Sequence, residues 1–192
     1  MGGLMIMNGM EYITKIFNKV EVSKGDCVMV KAGTIHAIGA GILICEIQQN
    51  SNCTYRMYDY DRRDKFGNKR ELHVDKALDV VDTKRYVPYE SSINAYDEAT
   101  NEAAATIEED SSEGQLLVSC KYFECYKYDI SDSVSINVDT AYFRSVIFTE
   151  GCGTIRVGED VKAYKVGDSF YITAGNKTVE IEGNCVAIVT KV

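Results

Sequence analysis

Several features that would assign a function quickly are missing from this chain. It has no Cys-x-x-Cys pair, no basic run and no apolar segment approaching the ~20 residues that a membrane span requires. The balance of 21 basic and 29 acidic residues gives a net charge of −8. Without a basic patch, nucleic acid and anionic membrane surfaces are excluded as partners. Seven cysteines are an odd number, scattered over positions 27 to 185. Disulfide scaffolds use denser, even-numbered patterns, so free thiols in a reducing cytoplasm are expected. The N-terminus, MGGLMIMNGM, lacks the basic region and the apolar length of a signal peptide. Histidine is also scarce: only His36 and His73 occur. What the chain does have, at 192 residues and 45% hydrophobic content, suffices for one domain or two small ones with a real core.

Residues 8–20 predict a short amphipathic helix with Asn8 as N-cap, Glu11 completing a capping box, and Met10, Ile13, Phe17 and Val20 on one face. A second short helix is expected over 70–80 (RELHVDKALDV), making its apolar contacts through Leu72, Leu78 and Val81. Between them, turns at Lys24–Asp26 and Lys31–Thr34 bracket a strand at Cys27–Val30. Ile42–Gln49 and Thr54–Tyr60 read as a hairpin turned at Asn50–Asn52. If that hairpin is symmetric about Ser51, Glu46 lies opposite Arg56 on one face. Residues 86–115 change character: they hold the only proline, Pro88, and an acidic run, and predict a solvated connection with a helical turn near Glu102–Ala105. From Gln115 on, short strands follow one another, punctuated by Gly-Asp, Gly-Cys-Gly and Gly-Asn. That pattern predicts an antiparallel sandwich or barrel. The expected division is 1–85, a connecting 86–115, and a second β domain at 116–192.

One segment repeats. KGDCVMVKAGTIH (24–36) aligns with VGDSFYITAGNKT (166–178) at an offset of 142, so turn, short strand and glycine turn recur. His36 aligns with Thr178, so only the first copy carries a histidine.

Three residues in the first half can carry chemistry. His36, just past a glycine turn, is placed as a metal ligand or is an ordinary core or surface histidine. Glu46 interrupts the apolar GILICEIQQ, where an unpaired carboxylate is costly, so it needs Arg56 or a metal. Arg56, between Tyr55 and Tyr58, suits a phosphate or an oxyanion, or else is the counter-ion of Glu46. His73, beside Arg70 and Lys76, reads as a surface or helix-packing residue.

The ordered run AGTIHAIGAG (32–41), EIQQNSNCTYRMYDYDR (46–62) and RELHVDKALDV (70–80) resembles the type I mannose-6-phosphate isomerases of the bacterial short form. KYFECYKYDI (121–130) and GDSFYITAG (167–175) resemble that family's C-terminal cupin part. The resemblance implies a mainly β, bicupin-like fold of antiparallel jelly-roll barrels with two short helices. It also implies one zinc ion and interconversion of mannose 6-phosphate and fructose 6-phosphate through an enediol. Carried over residue by residue, His36 is a zinc ligand, Glu46 a candidate acid/base, and Arg56 the arginine beside the developing enediolate. The substrate is then a phosphorylated hexose.

The departures bear on activity. The family's other zinc ligands lie in a Gln-x-His segment and on a later Glu, and no Gln-x-His occurs here. One histidine does not make a four-ligand site, so the chain reads as the family's C-terminal portion. Lys31 stands in place of a proline and Asn52 in place of an aspartate. Other classes remain open: a non-catalytic, cupin-like sugar-binding remnant, or a metal-free β module that works with a partner chain. Self-association through an uncovered sheet edge is expected in either case.

Overall fold

The computed structural model describes residue 15 and residues 17–51, 53–83, 96–97, 102–103, 114–175 and 177–192. The chain forms two compact units, Met1–Glu90 and Ser91–Val192. None of the described helices is long and apolar enough to cross a membrane.

The second unit is one sheet. Its strands are β1 (Tyr96–Asp97), β2 (Glu102–Ala103), β3 (Gln115–Ser119), β4 (Glu124–Ile130), β5 (Ser133–Val138), β6 (Arg144–Val157), β7 (Asp160–Lys165), β8 (Ser169–Ile172) and β9 (Lys177–Lys191). They follow the order β2-β1-β3-β4-β9-β6-β7, with β5 also on β9 and β8 also on β6. All pairs are antiparallel except β1 with β3. Alternation along β6 and β9 turns Val146, Phe148, Ile155, Val179, Ile181, Ala187 and Val189 into a common core. Each large aliphatic or aromatic group fully buried there contributes about 1.5–3 kcal/mol. Phe148 stacks on Tyr164 with ring centroids 3.5 Å apart and meets Phe170 edge-on at 5.9 Å.

The long strands differ from the sequence expectation, which breaks them at Gly-Cys-Gly and Gly-Asn. β6 and β9 run straight through both motifs, paired from Arg144↔Lys191 to Val157↔Val179 with a bulge between Phe148 and Glu150. The glycines here permit close approach instead of a reversal. A Cβ on Gly151 would lie 1.9 Å from the Asn184 carbonyl oxygen, and one on Gly153 would lie 1.9 Å from that of Glu182. The gap admits the Tyr164 hydroxyl, which sits 3.1 Å from the Glu182 carbonyl and 3.0 Å from Cys185 Sγ. The edge strand β7 was not expected, because Tyr164 is its one buried side chain. The helical turn expected near 102–105 is replaced at Glu102–Ala103 by β2.

The first unit is built differently. Its helix α1 (Val74–Val80) is shorter than the expected 70–80. Ala77 is its buried residue, whereas Leu78, an expected contact, is 58% exposed. Of the expected opening helix, 8–14 and residue 16 lie outside the described residues, Lys15 is helical, and 17–20 are not. Cys27–Val30, Ile42–Gln49 and Thr54–Tyr60 carry no ladder bonds, so the hairpin expected to set Glu46 against Arg56 is not formed. Val28 is 53% and Leu43 97% exposed. A strand needs a neighbour to satisfy its backbone and cover its apolar face. These segments have the composition of strands without one among the described residues.

The repeat survives at its first turn. In both copies a glycine at positive φ (Gly25, 96°; Gly167, 89°) precedes an aspartate. The Asp26 and Asp168 carboxylates accept hydrogen bonds from the Ser23 and Lys165 amides at 2.7 and 2.9 Å. Only the second copy continues into a paired strand, β8.

Candidate functional site

His36 is exposed, and its Nδ1 lies 2.9 Å from the Thr34 carbonyl oxygen. If Nδ1 carries the proton, that contact leaves the Nε2 lone pair for a ligand. Glu46 is exposed as well. Arg56 makes no ion pair with it. The three residues predicted to act together are therefore not joined by any hydrogen bond or ion pair among the described residues.

Arg56 is half-buried and held from several sides. Its guanidinium donates to the Glu71 carbonyl at 3.0 Å. Its backbone N–H points at His73 Nδ1, 3.3 Å away, and its carbonyl accepts from the His73 N–H at 2.7 Å. Nε stands 4.0 Å from the carboxylate of Asp59. His73 packs against Tyr55 with ring centroids 6.4 Å apart, and its Nε2 faces the Glu71 carboxylate at 3.8 Å.

Asp59 is the hub of this cluster and is only 5% exposed. Arg62 donates to it through Nε at 3.1 Å and through a terminal nitrogen at 2.7 Å. Arg70 donates through Nε at 2.8 Å and also through a terminal nitrogen. The Arg70 hydrogen bond, reinforced by Arg62, outweighs the opposing effect of burial and pulls the Asp59 carboxyl down to about 2. A tight turn makes this convergence possible. The Arg62 N–H donates to the Asp59 carbonyl at 2.9 Å, and both central residues, Tyr60 (φ 52°) and Asp61 (φ 55°), are left-handed. That conformation normally favours glycine or asparagine. It is held here by the Asp59 pairs and by the Lys69–Asp61 ion pair. Beyond it the Asp64 carboxylate closes the next loop on the Phe66 and Asn68 amides.

Three guanidinium groups thus surround one carboxylate, leaving excess positive charge at Arg56. Sequence reasoning singled out Arg56 and read His73 as a surface or helix-packing residue, but did not place Asp59, Arg62 and Arg70 beside them. The available signal was an acid with an arginine three residues to either side. Among the described residues no group of three or more His, Cys, Asp or Glu side chains could hold a metal ion. Two open concavities, about 370 and 180 Å³, lie in the second unit, and none of His36, Glu46 and Arg56 lines either.

Residues 113–192 match the family model described as the cupin domain of mannose-6-phosphate isomerase. Over 176 residues the chain is 35% identical to the mannose-6-phosphate isomerase ManA of Bacillus subtilis, covering 92% of this chain and 52% of that protein. The chain is similar to mannose-6-phosphate isomerases over nearly all of its length, and residues 113–192 match their cupin domain. The Streptococcus mutans mannose-6-phosphate isomerase is 35% identical over 169 residues, 88% of this chain and 49% of that one. The crystal structure of the Bacillus subtilis mannose 6-phosphate isomerase superposes with a TM-score of 0.57 at 30% identity, covering 75% of this chain and 42% of that one. The cupin-type β fold implied by the resemblance is the fold of the second unit. The chain spans about half the length of the curated relatives it matches.

Proposed function

We propose that this chain serves the interconversion of mannose 6-phosphate and fructose 6-phosphate, a zinc-dependent aldose–ketose isomerisation through an enediol. The observation that carries the reading is the Arg56 cluster: a guanidinium fixed at its backbone and its head, beside a carboxylate already engaged by two other arginines. Such a group is preorganised to meet the negative charge that develops on an enediolate oxygen or stands on a phosphate. In this reading Arg56 stabilises the enediolate, while Glu46 takes the C2 proton of the aldose and returns it at C1. His36 offers Nε2 to the zinc, a role supported by its Nδ1 contact with Thr34. One imidazole is not a ligand set, and the described residues supply no cluster that completes it, so no step is derived through the metal. All seven cysteines are free thiols, which supports a reducing cytoplasmic setting. The exposed Val28, Val30, Ile42, Leu43 and Ile44 support self-association, read as concentration-dependent mass by light scattering.

A second reading is favoured by the missing ligand cluster: a cupin-like module that binds a phosphorylated sugar without turnover. Elemental analysis of the purified chain for zinc, with a mannose 6-phosphate isomerisation assay before and after chelation, separates the two. Catalysis predicts bound zinc and turnover that chelation removes and added zinc restores. Neither zinc nor turnover leaves the binding module. Within the catalytic reading, Arg56→Ala lowers kcat by about 100- to 1,000-fold at unchanged folded fraction. Loss of activity only in proportion to loss of folded protein would remove Arg56 from the chemistry.

A further inference from the structure

The Arg56 cluster contains more than the proposed reaction uses. His73 meets the Arg56 peptide twice, through its own N–H to the carbonyl (2.7 Å) and through ring Nδ1 facing the Arg56 N–H (3.3 Å). Because the Arg56 amide is a donor, Nδ1 must hold a lone pair, which places the ring proton on Nε2, facing the Glu71 carboxylate at 3.8 Å. The carbonyl of the same Glu71 accepts from the Arg56 guanidinium. His73 is also the N-cap of α1, yet its side chain makes no capping hydrogen bond to that helix. The ring is turned to Arg56 instead.

Asp59 acts on the other end of the side chain. Both of its oxygens are engaged by Arg62 and Arg70, and Arg56 Nε is left at 4.0 Å, beyond hydrogen-bond range. A free carboxylate at this place would collapse onto Arg56 and neutralise it. A saturated one orients Arg56 while leaving its outward donors for another anion.

We propose that Asp59 and His73 are positioning residues for Arg56: His73 fixes its backbone, and Asp59, saturated by Arg62 and Arg70, sets the direction of its guanidinium without neutralising it. This rests on the reading that Arg56 meets an anionic reacting group. Misplacing such a group by about 1 Å costs about 100-fold in rate. Asp59→Asn is therefore expected to lower kcat for mannose 6-phosphate by about 100-fold with KM changed less than about threefold. His73→Leu should do the same. His73→Asn should recover most of the loss, because its amide oxygen reproduces the position of Nδ1 as an acceptor. Folded fraction is followed by near-ultraviolet circular dichroism, and rates are compared per folded molecule. Wild-type kcat in Asp59→Asn or His73→Leu, or no difference between His73→Asn and His73→Leu, overturns the proposal.

A readout that does not depend on turnover separates this from failure of the catalytic reading. The Arg56 Nε–H resonance and its solvent exchange are followed by nitrogen-15 NMR in the full chain. Both should change in Asp59→Asn and in His73→Leu, and an unchanged resonance overturns positioning on its own. If the resonance responds while Arg56→Ala keeps its activity, the geometry of the cluster stands and the role of Arg56 in the reaction falls.

Discussion

Asp59 holds a full charge where water barely reaches, and it can do so because arginines from two parts of the chain, Arg62 and Arg70, donate to both of its oxygens. Their effect is a carboxyl held at about 2, below its ordinary 3.8. A depressed folded-state value means that the unfolded chain binds the proton more readily. The stabilisation is therefore complete above pH ~4 and is lost as pH falls toward ~2. Amide exchange at Arg62 and His73 should accelerate over that window in the wild type and show no such step in Asp59→Asn. If the two proteins respond alike, the Arg62 and Arg70 pairs do not hold this turn together. The cluster also shows what residue-level reading of a sequence reaches. Arg56 stood out because an arginine beside tyrosines in a strand-like run is unusual. Asp59 did not, because one of its partners is eleven residues away and its turn uses left-handed Tyr60 and Asp61 in place of the glycine that would have announced it.

Glycine announces more than one kind of element, and the difference is physical. Gly25 and Gly167 are turn glycines with nothing near a would-be Cβ, so their requirement is a positive φ alone. Gly153 sits inside β6 with the Glu182 backbone where a side chain would go. From sequence both look like breaks, which is why the expected short strands 145–149 and 154–157 are one strand, and 178–181 and 185–189 another. The strand pattern itself was legible, because apolar alternation fixes which face is buried. β7 was not, since an edge strand with one buried side chain has almost no period to read. Close approach makes a sharper prediction than a turn does. Gly153→Ala must separate β6 from β9 and disturb Tyr164, at a cost of about 3 kcal/mol. In a unit of this size that lowers Tm by roughly 10–20 °C. Gly167→Ala, in the same unit and meeting only backbone strain, should cost about 1–2 kcal/mol. Calorimetry showing the reverse order would mean that β6 and β9 are not in contact at Gly153.

The two units solve the problem of burial unequally. Ser91–Val192 encloses a continuous apolar core in which Phe148, Ile181 and Ala187 have no exposed surface at all. In Met1–Glu90 the described buried residues are Asp59 and Ala77, while Val28, Val30, Ile42, Leu43 and Ile44 are exposed in segments without ladder bonds. Local turns such as Gly25-Asp26 form from their own few residues, but a strand is completed only by a neighbour. This is why the repeat yields a paired strand in one unit and an unpaired segment in the other. The chain spans about half the length of the curated relatives it matches, and its first unit is where strand-like sequence stands without strand pairing among the described residues. Local opening free energy follows buried contacts and protected backbone bonds, so it should be near zero along 26–50 and approach the global value in β6 and β9. Limited proteolysis should therefore cut first within the first unit and leave a resistant fragment that contains β3–β9. Hydrogen exchange should show protection confined to the second unit and, more weakly, to the Arg56–Asp59–His73 cluster. Adding fructose 6-phosphate should slow exchange at Arg56 and His73 before it affects β6 or β9, because the proposed anion contact is made by that cluster. Equal resistance of both units to protease in the unliganded chain would show that segments 26–50 are paired in solution, and the hairpin setting Glu46 opposite Arg56 would then regain its claim.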